Sequence, residues 1–530
     1  MKKRFHVDGI CYPEEHYMVD MDDRLEEIKK LIEDGKYFVI NRARQYGKTT
    51  ILGMLAGKLS DEYQIFSISF EGLGDAAYEN ERAFCRRTCG LLYDTMYYGE
   101  AGAISDEIQK ECYALSLEQE KPDLRTFSNL ISRICRASDK PVILMIDEVD
   151  QASDQEIFLN FLGMLRDKYM KRRSRPTFRS VILAGVYDIK NLKLKMGRDG
   201  ERQYNSPWNI AARFTVDMSF SAEDIAGMLM KYKTDQSFDI DVPSISRLIY
   251  DYTSGYPFLV SRICKILDEQ IIPDHYAADP AAAWTKHGIS EAVKLLLEES
   301  NTLFDDMIKH LAEYPELNAM IQNILFQGTK YPYFQYNLPV SIGSMFGFLK
   351  EKDGFVSVSN RIFETSLYNF YISEEITKDA RSRGILKEKN QFIKDGFLDM
   401  ELVLQKFMES YTDIYWNASE SFLEDNGRRI FLIFLKPIIN GTGNYYIEAQ
   451  TRDGRRTDVI VDYLGKQYVI EMKLWHGDEY NRRGELQLAG YLDDYGLDKG
   501  YLLSFNFNKN KKTGMKEIRC NGKTILEVVV

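Results

Sequence analysis

The stretch Tyr37-Phe38-Val39-Ile40-Asn41-Arg42-Ala43-Arg44-Gln45-Tyr46-Gly47-Lys48-Thr49-Thr50-Ile51-Leu52 decides the fold. Its first four residues are a short β-type apolar run after Gly35, and Ile51, Leu52, Met54 and Leu55 restart a helical spacing. The residues between are therefore a loop carrying a strand into a helix. A nucleoside triphosphate needs backbone N–H groups aimed at its phosphates, a lysine for the β- and γ-oxygens and a hydroxyl for Mg2+. Gly47, Lys48 and Thr49 are those residue types in that order, and Arg44, Gln45, Tyr46 and Thr50 complete the expected nucleotide-binding loop. The strict phosphate-loop pattern has glycine five positions before Gly47, where this chain has Arg42. A lone Gly-Lys-Thr is common at helix starts, so its weight comes from its place between strand and helix.

Working outward, residues 22–34 have helical apolar spacing, and apolar runs at Ile65–Phe70, Val142–Ile146 and Val181–Val186 alternate with helical segments. That alternation predicts a mostly parallel sheet with crossover helices, in a domain ending near residue 222. The run Pro141–Ile146 ends in Asp147-Glu148. A central strand ending at the sheet edge would bring Asp147 to Mg2+ and let Glu148 polarise the attacking water. Read alone, a core strand followed by solvated acids is an equal account; read with the upstream loop, nucleotide binding is the better one. Tyr187 and Asp188 stand where a sensor of the γ-phosphate would, or are ordinary loop residues. Arg213 is a surface arginine before it is a finger for a neighbouring subunit. Lys171, Arg172, Arg173 and Arg175 read first as a solvated loop, with a nucleic acid or lipid contact as the lesser reading.

Residues 222–271 and 290–328 are expected to be helical, with a break at Thr253-Ser254-Gly255-Tyr256-Pro257. Runs Phe346–Leu349 and Phe355–Val358 flank Asp353-Gly354, a hairpin signal, and helices followed by a hairpin suggest a winged-helix-like unit within 223–375. A charged stretch within 376–394 is the linker candidate. Strands are expected at 445–449, 458–463, 468–472 and 501–505, with a helix at 480–495, in a separate domain over 395–530. Glu471 and Lys473 fall on one strand face because side chains alternate. With Asp458 on the preceding strand they could hold Mg2+ or Mn2+ and stabilise charge on a phosphate. Glu448 is an added acid or a solvated strand residue. Gln487 and Tyr491, four apart on one helix face, would line the same cleft or serve the core.

Two resemblances rest on these residues. Arg42-Ala43-Arg44-Gln45-Tyr46-Gly47-Lys48-Thr49 resembles the Arg-Pro-Arg-Arg-Phe-Gly-Lys-Ser/Thr loop of the predicted bacterial AAA-ATPase-like family, with Ala43 and Gln45 as departures. The likeness extends through Asp147-Glu148, Val181–Val186 and Asn205–Ile210 to Gly255-Tyr256-Pro257, which is similar to the Gly-x-Pro element of AAA-type and STAND-type lids. Arg455-Arg456-Thr457-Asp458, thirteen positions before Glu471-Met472-Lys473, resembles the PD-(D/E)XK nuclease superfamily, closest to the nuclease-like domain often fused behind that ATPase. The resemblances imply an α/β fold: a P-loop NTPase core over 1–222, a helical lid with a winged-helix-like unit, and a C-terminal nuclease-like domain. They imply ATP with Mg2+ at Thr49 and Asp147, catalysis by Glu148, and a second metal site at Asp458 and Glu471 with Lys473 as catalytic partner.

Composition bounds the rest. At roughly 150 residues per domain, 530 residues hold three or four domains. A net charge of −11 opposes a protein coated in nucleic-acid-binding surface, so such contacts are local. Seven scattered cysteines without Cys-x-x-Cys spacing read as reduced thiols, and no apolar run of about 18 residues appears, so a cytoplasmic protein is expected. Two functions stay open: an ATP-dependent nuclease acting on DNA or RNA, by analogy in defence or mobile-element control, and a STAND-like nucleotide switch that assembles with partners without cleaving. A homo-oligomer fits either. A transcriptional regulator is the weaker third, since the hairpin carries Glu351 and Asp353 beside its lysines.

Overall fold

The computed structural model describes residues 3–102, 104–152, 155–186, 207–327, 329–378, 389–415, 424–439, 443–450, 456–475, 478–506 and 513–530. They fall into two compact units, Met1–Lys265 with Ile342–Phe348, and Ile266–Ser341 with Leu349–Val530.

In the first unit, α1 (Asp22–Glu33) buries Leu25, Ile28 and Ile32, the 3–4 spacing read from the sequence. Then follow β1 (Phe38–Asn41), α2 (Lys48–Leu59), β2 (Gln64–Ser69), α3 (Glu81–Tyr97), α4 (Asp106–Ser116), α5 (Leu124–Ala137), β3 (Val142–Asp147), α6 (Glu156–Met170) and β4 (Ser180–Gly185). The strands form a parallel sheet in the order β1-β4-β3-β2, as the alternation predicts. β3 and β4 are buried at every position because they are central and covered on both faces, which is why they read as unbroken apolar runs. Asn41 pairs with Gly185 and Ser69 with Asp147, so the carboxyl ends of all four strands meet at one edge. Beyond β1, Ala212 makes a parallel bridge to Phe38 and adds a fifth position to the sheet.

One face of this sheet is packed with aromatic rings. Phe66, Phe70, Phe84, Phe127, Phe158 and Phe161 share one core, with Phe70 and Phe84 edge to face at 5.8 Å. Each buried ring contributes about 1.5–3 kcal/mol. Trp208, fully buried, stacks on Tyr37 at 6.0 Å.

The helices α7 (Ala222–Gln236), α8 (Val242–Thr253) and α9 (Pro257–Ile266) complete the unit. Ser221 and Asp224 form a capping box on α7, and Arg24 of α1 donates to Asp224 at 2.7 Å and to the carbonyls of Asp217 and Ser219. One arginine thus ties the start of this helical group to the sheet domain.

The second unit begins where α9 runs through a π-turn, Leu267–Ile271, into α10 (Ile272–His275). It holds α11 (Lys286–Glu298), α12 (Thr302–Glu313) and α13 (Pro315–Gln327); α14 (Leu338–Met345) then precedes β5 (Leu349–Lys352), β6 (Phe355–Val358) and α15 (Arg361–Lys378). The β5–β6 hairpin turns at Asp353 (φ 53°) and Gly354 (φ 81°), the Asp-Gly chemistry the sequence signals. The expected strand over Phe346–Leu349 begins instead at Leu349, because Gly347 (φ 78°) turns the chain out of α14 first. Residues 379–388 of the linker candidate lie outside the described residues.

After a two-residue pair, β7 (Ile393–Lys394) and β8 (Phe397–Leu398), come α16 (Met400–Tyr415), α17 (Glu424–Ile439), β9 (Gly443–Gln450), β10 (Arg456–Tyr463), β11 (Lys466–Leu474), α18 (Asp478–Asp494), β12 (Lys499–Phe505), β13 (Gly514–Cys520) and β14 (Lys523–Val529). They build a six-stranded mixed sheet in the order β13-β14-β12-β11-β10-β9. β11 and β12 are parallel, and α18 is their crossover, packed through Leu488, Tyr491 and Leu492 onto Ile460, Val469, Leu502 and Ile525. No helix among the described residues is long and apolar enough to cross a membrane.

Candidate functional site

The loop between β1 and α2 closes on two left-handed residues, Gln45 (φ 57°) and Gly47 (φ 76°), and Gly47 caps α2. That conformation turns the chain so that the first turn of α2, with its free N–H groups, faces outward at the carboxyl edge of the sheet. Lys48 is 6% exposed, and its Nζ donates to the carbonyls of Arg42 and Ala43, both at 3.1 Å. Burial pulls its ammonium below the ordinary lysine range, opposed by Asp150, Glu148 and Asp147. Thr49 Oγ1 donates to Asp147 Oδ2 at 2.6 Å, across 98 residues of sequence. Thr50 Oγ1 accepts from the Cys11 N–H at 3.2 Å.

Arg42 does not enter the loop's concave side. Its guanidinium donates to the Val216 carbonyl at 2.6 Å and lies over the Phe214 ring at 5.0 Å. Arg44 is exposed, while its carbonyl accepts from the Tyr256 hydroxyl at 2.5 Å. Tyr46 packs edge to face on Tyr256 at 4.6 Å, and its hydroxyl meets Ser219 Oγ at 3.1 Å. The helical group therefore touches the loop through Tyr256, within the break read at Thr253–Pro257.

Glu148 follows Asp147 in a left-handed conformation (φ 51°), its N–H held by Asp147 Oδ1 at 2.9 Å. Burial raises its carboxyl above the usual glutamate range, Lys48 opposing and Asp147 and Asp150 adding to the rise. Asp150, which sequence reasoning passed over, accepts the Val186 N–H on Oδ2 at 2.6 Å. A Cβ on Gly185 would sit 2.8 Å from Asp150 Oδ1, so the glycine leaves room for this carboxylate against the end of β4. The run Asp147-Glu148-Val149-Asp150 carries no spacing signal for that role; it needs the adjacency of β3 and β4.

Beside these groups lies a cavity of about 480 Å3, lined by Gly47, Lys48, Thr49 and Glu148 on its polar side. Its apolar side comes from Ile10, Met18, Met54, Met218, Met228 and Phe258, with Cys11 and His6 in the wall. The volume lies in the range of small-molecule sites. The segment before α1 was not among the residues singled out from sequence, because its single apolar residues in this wall have no period.

Residues 15–276 match the family model described as an AAA-like domain. The match covers a little under half of the chain and takes in the loop, both acids, the sheet and α7–α9. Among solved structures the chain is similar to a Walker-type ATPase of Pyrococcus abyssi, at 14% identity over 68% of this chain and 99% of that one, TM-score 0.46. It is also similar to the Aeropyrum pernix ORC1 protein in complex with DNA, at 11% identity over 68% and 94%, TM-score 0.30. The Aeropyrum pernix ORC2 protein, in ADPNP and ADP complexes, gives 10% identity over 70% and 97%, TM-score 0.35. No curated protein matches the chain.

Within the matched residues 15–276, Arg213 is exposed, and Tyr187, Asp188 and Asn205-Ser206 lie outside the described residues. In the second unit, Glu471 is 1% exposed, with Lys473 Nζ 3.0 Å from its Oε1. Both project from one face of β11, as alternation requires. β10 pairs with β9 through Thr457–Ala449 and Val459–Ile447, and with β11 through Val459–Ile470. That register sets Asp458 between Glu448 and Glu471 along one row of the sheet. The side chains of Asp458 and Glu448, together with Arg455 and His476, lie outside the described residues. Gln487 Nε2 donates to the Tyr491 hydroxyl at 2.5 Å, and Tyr491 belongs to the core beneath α18. Among the described residues no group of three His, Cys, Asp or Glu side chains forms a metal cluster.

Proposed function

We propose that the protein binds and hydrolyses ATP in its AAA-like domain and carries a metal-dependent nuclease of the PD-(D/E)XK type on its C-terminal sheet. The observation that carries the first part is the 2.6 Å bond between Thr49 and Asp147, which joins the two expected Mg2+ ligands beside a cavity of nucleotide size. Lys48, held by two loop carbonyls, is free to exchange them for phosphate oxygens that accept more strongly. Thr49 and Asp147 would hold Mg2+, which supplies positive charge to the phosphate oxygens when bound. Glu148, its carboxyl raised by burial, takes the proton of the attacking water. Gly47 and the first N–H groups of α2 orient the phosphates.

The nuclease reading is supported by the buried Glu471 with Lys473 at 3.0 Å and by the register that sets Asp458 beside Glu471. On this reading Asp458 and Glu471 would hold Mg2+ or Mn2+, and Lys473 offsets charge building on a phosphodiester of DNA or RNA. The helices α12–α14 with the β5–β6 hairpin are read as the winged-helix-like part of the lid. The test is a pair of assays on the purified protein, ATP turnover and Mg2+- or Mn2+-dependent cleavage of labelled nucleic acids, each with and without the other substrate. ATP bound without turnover or cleavage would leave a nucleotide switch in place of the ATP-dependent nuclease.

A further inference from the structure

The loop between α6 and β4 has a charge opposite to the average of the chain. Arg166–Arg179 contains seven basic side chains and one acid, Asp167, in a protein of net charge −11. Lys171, Arg172, Arg173 and Arg175 are all exposed, and Arg136 at the end of α5 is exposed as well.

The loop is built into the fold. The N–H groups of Ser174 and Arg175 donate to the Lys171 carbonyl at 2.9 and 3.0 Å, closing a turn. Ser132 Oγ of α5 donates to the Pro176 carbonyl at 3.1 Å, and the buried Lys168 donates to the same Ser132 Oγ at 2.7 Å. Arg172 lies over the Tyr169 ring with its Cζ 3.8 Å from the centroid, which holds its guanidinium at the surface. Two nearby acids are already engaged: Asp167 by Lys171 and Glu111 by Arg133. Among the described residues no ion pair joins Arg136, Arg172, Arg173 or Arg175 to a carboxylate, so like charges are held together without compensation. The loop enters β4 at its amino end, and six residues at about 3.3 Å each set it roughly 20 Å from the strand ends that carry the nucleotide site.

We propose that this loop is a docking surface for the phosphate backbone of a nucleic acid. Arginine forks match phosphate geometry, and three of them on one fixed turn neutralise several phosphates together. A lipid surface fits less well: Met170 is the large apolar side chain exposed here, while Leu165 and Phe178 are buried, so no apolar stripe accompanies the charge. The inference is independent of the nuclease reading, since it concerns binding by the AAA-like domain.

The experiment uses the full chain carrying Glu471→Gln, so that a bound strand is not cut, and a fluorescent mixed-sequence DNA duplex without divalent metal. Arg173→Glu/Arg175→Glu should weaken binding about tenfold or more at low salt and reduce the slope of log Kd against log salt by about 2. Arg173→Lys/Arg175→Lys should stay within about threefold, and Lys110→Glu, an exposed charge on α4, should change nothing. Unchanged ATP affinity in each variant reports an intact fold. The proposal is overturned if the parent chain does not bind the duplex or if the double glutamate variant keeps affinity and slope. It is equally overturned if Lys110→Glu weakens binding as much, or if the double variant loses only binding to phosphatidylserine vesicles.

Discussion

Arg42 occupies the position where a strict phosphate loop has glycine, and the reason it is tolerated lies in where its side chain goes. The guanidinium leaves the loop for the Val216 carbonyl and the Phe214 ring, so the bend is made at Gln45 and Gly47 instead. Arg42→Gly should therefore cost stability, about 1–3 kcal/mol by urea unfolding, because it removes a charged hydrogen bond and a cation–π interaction together. Its effect on ATP affinity should be smaller than that of Lys48→Ala, which on the proposed reading removes a charged partner of the phosphates and should weaken binding about 10- to 100-fold by titration calorimetry. Intact affinity in Lys48→Ala would remove the phosphate-site assignment. If Glu148 is the base of the proposed hydrolysis, it sets the pH response. Because burial raises its carboxyl, turnover should fall on the acid side at a higher pH than an exposed glutamate would give. Only the ionised form accepts the proton, so activity is lost as pH drops through the raised value. Glu148→Gln should abolish that limb and lower kcat about 10²- to 10⁴-fold with binding retained. That Gly47-Lys48-Thr49 open a helix after a strand, and that Asp147-Glu148 stand at a strand end, was legible because both follow from local order. Asp150 was not, because its partner Val186 is brought to it only by the pairing of β3 with β4.

At the scale of elements, the packing of α7–α9 against the loop rests on the short segment before α9. Gly255 has φ 72°, and a Cβ there would overlap the Phe220 backbone, so Gly255→Ala should destabilise the first unit by about 2 kcal/mol or more in thermal unfolding. Tyr256→Phe removes only the hydroxyl bond to the Arg44 carbonyl and should cost about 0.5–1.5 kcal/mol while keeping the packing on Tyr46. Equal costs for the two variants would mean that the backbone conformation at Gly255 is not what holds the segment. The buried strands β3 and β4 were plain in the sequence because both faces are covered. β13 and β14 were not anticipated: β13 is an edge strand, GMKEIRC, with charged residues facing solvent, and its apolar positions are too few to show a period. The hairpin at Asp353-Gly354 was legible in its turn, yet its first strand was set too early, since Gly347 as a turn residue competes with the apolar run Phe346-Gly347-Phe348.

At the scale of the whole molecule, nucleotide chemistry is proposed in one unit and phosphodiester chemistry in the other, so variants should separate them. Lys473→Ala and Glu471→Gln should abolish metal-dependent cleavage and leave ATP binding unchanged; equal cleavage by wild type and Lys473→Ala would assign the activity elsewhere. The acidic average of −11 hides a distribution, since fourteen residues around the α6–β4 loop are strongly basic. The cysteines are distributed just as unevenly. Cys85, Cys89, Cys112 and Cys264 are buried, with burial pushing the Cys85 thiol far up, while Cys11 is half-buried in the wall of the cavity beside Lys48. The chain thus carries two intrinsic reporters of different events. Alkylation of Cys11 by a small maleimide should be slowed by bound nucleotide, whereas the four interior thiols should label only on the timescale of unfolding, so one mass-resolved labelling course reads occupancy and opening separately.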